Sequence, residues 1–204
     1  MALIEIKNVT ISRGKKQVIE NLSLELEKGT ITAIVGANGS GKSTLIGAVA
    51  GDHPLDSGSI SINGFNVGDL SLVEQSRLRS VVTQEQFFWL AFTVRQVIEM
   101  GQLSENLSRL DSVISQLGMS EIADQSVLTL SGGQLQRVSI ARALVCDTPI
   151  YLFDEPLASQ DKKSKADLIS LFGAMRDEGK TLVLVMHSEV SDLDWCDQII
   201  QDLA

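Results

Sequence analysis

The chain has 204 residues, ample for a packed core, and its 44% hydrophobic and 4% aromatic content is that of a soluble α/β protein rather than a fibrous or disordered one. A formal net charge of -9, with basic residues scattered apart from Lys15-Lys16 and Lys162-Lys163, argues against a nucleic-acid partner. No apolar run approaches the roughly 18 residues of a membrane span, and the start, Met1 to Ile6, lacks a basic segment and a long apolar stretch, so no secretory signal is expected and the chain is expected in the cytoplasm. Cys146 and Cys196 have no metal or redox spacing and read as small buried apolar residues.

Ile4 and Ile6 alternate with Glu5 and Lys7, and Leu22, Leu24 and Leu26 alternate with polar residues, so both segments read as half-buried antiparallel strands. Lys28-Gly29 turns the chain into Ile31 to Val35, a short apolar run suited to a buried strand. Gly36, Ala37, Asn38, Gly39, Ser40, Gly41, Lys42, Ser43 and Thr44 follow, fitting G-x-x-x-x-G-K-[ST] at every fixed position, and Ser43 to Ala50 reads as a helix that stops at Gly51. Strand, glycine-rich turn and helix are the context in which backbone N–H groups cradle a polyphosphate. Lys42 would reach the β- and γ-phosphates and the Ser43 hydroxyl would ligate Mg²⁺. Ser59 to Ile62 is a further strand, and Asn63-Gly64 is a hairpin turn.

Ser80 to Thr83 is a short strand leading to Gln84, after which Phe87, Phe88, Trp89 and Phe92 crowd together. From Val94 the pattern turns helical, with Leu107, Leu110, Val113, Ile114 and Leu117 on one face and Gly118 as a C-cap, an inserted helical lobe. Leu130 to Gln134 opens a helix whose apolar face carries Leu135, Val138, Ala141, Leu144 and Val145. Ser131, Gly132 and Gly133 make its start a second anion site. Ile150 to Phe153 is a buried strand ending at Asp154 and Glu155; Asp161 can cap the next helix, which carries Leu168, Phe172 and Met175 and ends before Gly179. Thr181 to Met186 is another core strand with His187 at its end. Strands alternating with helices imply a parallel sheet whose ligands bind at the carboxyl ends of its strands. The expected fold is α/β: a P-loop NTPase core with a parallel sheet, an N-terminal antiparallel β-layer and an inserted helical lobe.

The phosphate loop, L-S-G-G-Q-L-Q-R-V-S-I-A-R-A-L from Leu130, Y-L-F-D-E-P from Tyr151 and the strand-end His187 together resemble the nucleotide-binding domain of ATP-binding-cassette (ABC) proteins over nearly the whole chain. The resemblance implies a single domain over 1–204, with 1–83 and 146–204 as the nucleotide-binding core and β-layer and 84–145 as Q-loop, helical lobe and signature segment. It implies that Asp154 holds Mg²⁺ opposite Ser43, that Glu155 polarises the attacking water, that Gln84 touches Mg²⁺ and that water, and that His187 contacts the γ-phosphate. Ser131, Gly132, Gly133 and Gln134 would bind ATP across a dimer, linked through Ser159 and Asp161. Arg13 stands where relatives place an aromatic ring under the adenine; it can stack its guanidinium on the base or remain solvated. Gln160 replaces a usual apolar residue, and His53 reads as a surface residue.

The stretch from Gln86 to Gly101 looks most like importers of iron chelates, haem and cobalamin. The implied cofactors are ATP and Mg²⁺. The implied partners are a second ATPase subunit and integral membrane permease subunits docking on Phe87, Phe88 and Trp89, with the chain peripheral on the inner face of the cell membrane. The same aromatics could instead pack the lobe on the core. A soluble ABC ATPase of an assembly or regulatory complex is the alternative function.

Overall fold

A computed structural model describes residues 2–84, 88, 90–102 and 106–203. Among these the chain forms β1 (Ala2–Arg13), β2 (Lys16–Glu27), β3 (Ile31–Val35), α1 (Lys42–Val49), β4 (Ser57–Ile62), β5 (Phe65–Asn66), α2 (Leu72–Leu78) and β6 (Arg79–Val82). There follow α3 (Val94–Glu99), α4 (Leu107–Gln116), α5 (Gly132–Leu144), β7 (Ile150–Asp154), α6 (Lys162–Asp177), β8 (Thr181–Met186) and β9 (Gln198–Gln201).

The strands make two sheets. One is antiparallel in the order β2-β1-β4-β5, with Ile4 opposite both Leu26 and Ile62 and Ile6 opposite Leu24 and Ile60. The alternation of isoleucine with charge therefore puts one apolar face inward, as period-two patterning requires. Asn63 and Gly64 both take positive φ, 52° and 80°, matching the twist of the two-residue hairpin that returns β4 into β5. The other sheet is parallel in the order β6-β7-β8-β3-β9. Its three central strands are buried at every residue, which explains their unbroken apolar runs.

The pleat of that central sheet sorts the core into two halves. Ile31, Ala33, Val35, Tyr151, Phe153, Leu182, Leu184 and Met186 face a cluster with the helical lobe, α5 and α6. Ile34, Ile150, Leu152, Val183 and Val185 face α1 and the antiparallel sheet. On the first side Phe153 stacks on Phe172 at 5.3 Å between centroids, and Phe172 on Trp195 at 6.4 Å.

Several local expectations need correction. Leu107 is 57% exposed, and the packed face of α4 begins at Leu110. The first turn of α4 is held instead by Arg109, which donates to the carbonyls of Leu144 (2.7 Å) and Val145 (3.2 Å) at the end of α5. Cys146 and Cys196 are half-buried rather than buried. The Cys146 thiol donates to the Gly101 carbonyl, and burial pushes the Cys196 thiol up to about 12. His53 is no loose surface residue: its Nε2 is hydrogen-bonded to the Arg13 guanidinium, and its ring fills the space a Cβ on Gly47 would need.

Candidate functional site

The parallel strands β3, β7 and β8 all deliver their carboxyl ends to one edge, and there the candidate residues meet. A cleft of about 720 Å³ is lined by Val18, Asn38, Gly39, Gly41, Lys42, Ser43, Thr44, Gln84, Glu155 and His187. A cleft of about 750 Å³ lies between α4 and α6, but three of its four charged residues, Arg109, Asp147 and Lys180, are paired with one another.

Gly36 to Gly41 joins β3 to α1. Gly41 has φ 94°, and a Cβ there would sit 3.0 Å from the Val18 and Ile19 side chains and 3.1 Å from the Val18 carbonyl. Only glycine combines that left-handed backbone with so close an approach of β2. Lys42 is buried, and its ammonium donates to the Gly36 and Ala37 carbonyls at 2.8 and 2.9 Å. The cation thus lies over the loop, where a polyphosphate would meet it. Ser40 N–H closes the turn onto the Ala37 carbonyl.

Asp154 ends β7 and is 5% exposed. Burial pushes its carboxyl above the ordinary range, a shift that the adjacent Ser43 hydroxyl and Lys42 charge only partly oppose. Its Oδ1 has no hydrogen-bond partner among the described residues. A buried, unsatisfied carboxylate oxygen next to a serine hydroxyl suits a hard divalent cation, which takes oxygen ligands and completes its shell from phosphates and water. No group of three or more His, Cys, Asp or Glu that could hold a metal by itself occurs among the described residues. Ser43 and Asp154 therefore fit Mg²⁺ held jointly with a nucleotide.

Glu155 follows with φ 53°, a left-handed posture uncommon outside glycine and asparagine. Its N–H donates to the Val185 carbonyl at 2.9 Å, which fixes it to the end of β8. His187, two residues beyond Val185, brings Nε2 to 2.7 Å from Glu155 Oε1. Parallel register between β7 and β8 is what makes these two side chains neighbours across 32 positions of sequence, 187 minus 155.

The signature segment starts α5 with Ser131 as N-cap. The Ser131 hydroxyl accepts from the Gln134 N–H and the Gln134 side chain accepts from the Ser131 N–H, a reciprocal capping box. Gln134 thus turns back onto its own helix, leaving the N–H groups of Gly132 and Gly133 at the helix tip for an incoming anion. Ser131 and Gly132 are exposed, and they stand outside the phosphate-loop cleft of the same chain. Asp161 caps α6 by accepting from the Ser164 N–H at 2.8 Å, which holds its carboxyl below the ordinary range. Phe88 and Phe92 pack partly buried on the main core, whereas Leu90 beside them is 61% exposed. Phe87 and Trp89 lie outside the described residues.

A cradle at a strand-to-helix turn, an acid pair at the next strand end and a second capped helix tip define a P-loop nucleotide-binding protein. The chain belongs to the ABC transporter ATP-binding family, whose model, described as ABC transporter, matches residues 19–158. A manganese transport system ATP-binding protein of Bacillus subtilis is 32% identical over 208 residues, 97% of this chain and 82% of that protein. A petrobactin import ATP-binding protein of the same organism is 32% identical over 91% of this chain and 77% of its own length. A hemin import ATP-binding protein of Bordetella avium is 32% identical over 97% and 81%. Among solved structures, the ATP binding subunit of an ABC transporter matches with TM-score 0.88 at 23% identity, covering 98% of this chain and 85% of that one. The resemblance read from the motifs to importer ATPases of iron chelates and haem agrees with these relatives.

Proposed function

We propose that the chain, working as one unit from end to end, is the ATP-hydrolysing subunit of an importer whose membrane path is supplied by separate subunits. The observation that carries this reading is the 2.7 Å contact of His187 with Glu155 on the cleft that also holds Lys42 and Ser43. The loop N–H groups and Lys42 bind the β- and γ-phosphates; Lys42 exchanges its two carbonyl partners for phosphate oxygens. Ser43 and Asp154 hold Mg²⁺, with Gln84 approaching from the cleft rim. Magnesium, when bound, neutralises charge on the phosphates. Glu155 accepts a proton from, or orients, the attacking water, and His187 steadies that carboxylate and reaches towards the γ-phosphate.

The exposed tip formed by Ser131, Gly132 and Gly133 completes the site of a second ATPase subunit, so two copies, or this chain and a paired one, close on ATP. Arg13, hydrogen-bonded to His53 at the tip of the β1–β2 hairpin and outside the lining of the phosphate-loop cleft, either stacks its guanidinium on the adenine or stays with His53 in solvent. The segment that follows Gln84, with Phe87, Phe88 and Trp89 and the exposed Leu90, is the part of the chain proposed to receive a membrane subunit at the inner face of the membrane. Manganese, petrobactin and hemin in the relatives' names favour a metal ion or metal chelate as cargo.

Glu155→Gln tests the reading. It should keep MgATP binding, accumulate a dimer and lower phosphate release by about 10²-fold or more, the range expected for loss of a general base. Phosphate release at the wild-type rate would remove Glu155 from this role.

A further inference from the structure

The segment between Glu155 and α6 does more than connect them. Ser159 takes a left-handed φ of 61°, which turns the chain back towards the start of α5. Two contacts result. The Gln160 side-chain Nε2 donates to the Gly133 carbonyl at 2.9 Å, and a Cβ on residue 133 would stand only 2.6 Å from the Ser159 carbonyl oxygen. Backbone lies against backbone there, so glycine is required at 133 for an intrachain reason as well as for phosphate approach. Beneath this contact a cavity of about 370 Å³, lined by Gln84, Gly132, Gln136, Glu155 and Ser159, separates the strand end from the helix start. Across that gap the Gln160 amide is a direct polar tie.

We propose that Gln160 is a positioning residue: it ties the tip of α5 to the segment that follows Glu155, so that each chain presents Ser131–Gly133 to its partner's nucleotide already in place. This rests on the dimer reading above. The tie is made within one chain, so the ordering of the tip does not draw on the partner and does not oppose association. An apolar side chain of the same length can fill the space but cannot fix the helix tip to the loop. Gln160 is not among the residues that line the phosphate-loop cleft, so nucleotide binding by a single chain should be indifferent to it.

The experiment uses the full chain carrying Glu155→Gln, with MgATP. Dimer dissociation is measured by sedimentation, and single-chain affinity by fluorescence of a labelled ATP analogue at low protein concentration. Gln160→Met, which keeps length and removes the N–H, should weaken the dimer about 5- to 100-fold, the loss of one amide–carbonyl hydrogen bond in each of its two chains. Single-chain nucleotide affinity should stay within about twofold. Gln160→Lys, which restores an N–H donor of similar reach, should recover most of the dimer affinity. An unchanged dimer constant in Gln160→Met, equal weakening in Gln160→Lys, or a parallel loss of single-chain nucleotide binding would overturn the tie while leaving the dimer reading intact. Failure of the Glu155→Gln chain with Gln160 unaltered to dimerise would overturn the pairing of two identical copies, and the proposal with it.

Discussion

Asp154→Asn should make the nucleotide-free protein more stable while making it unable to use Mg²⁺. Asp154 is 5% exposed, its Oδ1 is buried without a partner among the described residues, and burial raises its carboxyl above the ordinary range near 3.8. Because the folded state holds that proton more tightly than the unfolded chain, stability is lost as pH rises from the ordinary carboxylate value through the raised one, and the loss is complete above it. An unsatisfied buried charged group costs about 1–3 kcal/mol, of which a neutral amide of the same shape recovers part. For a chain of this size a gain of about 1–2 kcal/mol corresponds to a rise in Tm of about 2–8 °C. Thermal unfolding followed from below the ordinary carboxylate value near 3.8 up to neutral pH should show the two proteins converging at the acid end and separating as pH rises. MgATP should then raise the Tm of the wild type more than that of the variant, since only Asp154 supplies the carboxylate. A variant less stable than wild type at neutral pH, or a difference that does not change with pH, would refute the argument.

Two further substitutions probe the frame. Gly41→Ala forces a side chain into φ 94° and against Val18 and Ile19 at 3.0 Å, so it should cost about 2–4 kcal/mol and weaken ATP binding; unaltered nucleotide affinity would show that β2 does not set the loop. Phe172→Ala removes a fully buried ring stacked on Phe153 and should destabilise by about 3–5 kcal/mol in denaturant titration, with little effect on nucleotide affinity in the protein that remains folded.

The order of strands and helices around the phosphate loop was legible because each has a local cause. Ile31 to Val35 is apolar throughout because it is buried on both faces, and Gly36 to Ser43 is a motif whose residues act on one another. The helix α2 was not read from the sequence, although Ser71 and Glu74 form a capping box with both hydrogen bonds present; its Leu72 and Val73 are exposed, so no apolar stripe marks it. Leu107 fits the stripe of α4 yet stays in solvent, since what anchors that turn is the polar reach of Arg109 to another helix. His53 and Gln160 could not be placed from spacing at all. Their partners, Arg13 and Gly133, are 40 and 27 residues away, and only the packing of separate elements brings each pair together.

The left-handed backbone of Glu155 has a consequence for how this chain tolerates change. At φ 53° most side chains are strained by about 1 kcal/mol or more, and glycine is not. Glu155→Gly should therefore yield a sturdier but inert protein, and random mutagenesis screened for heat resistance alone should drift towards losing the carboxylate. Keeping it demands selection on turnover, which marks the position as one where thermal endurance and chemistry pull in opposite directions.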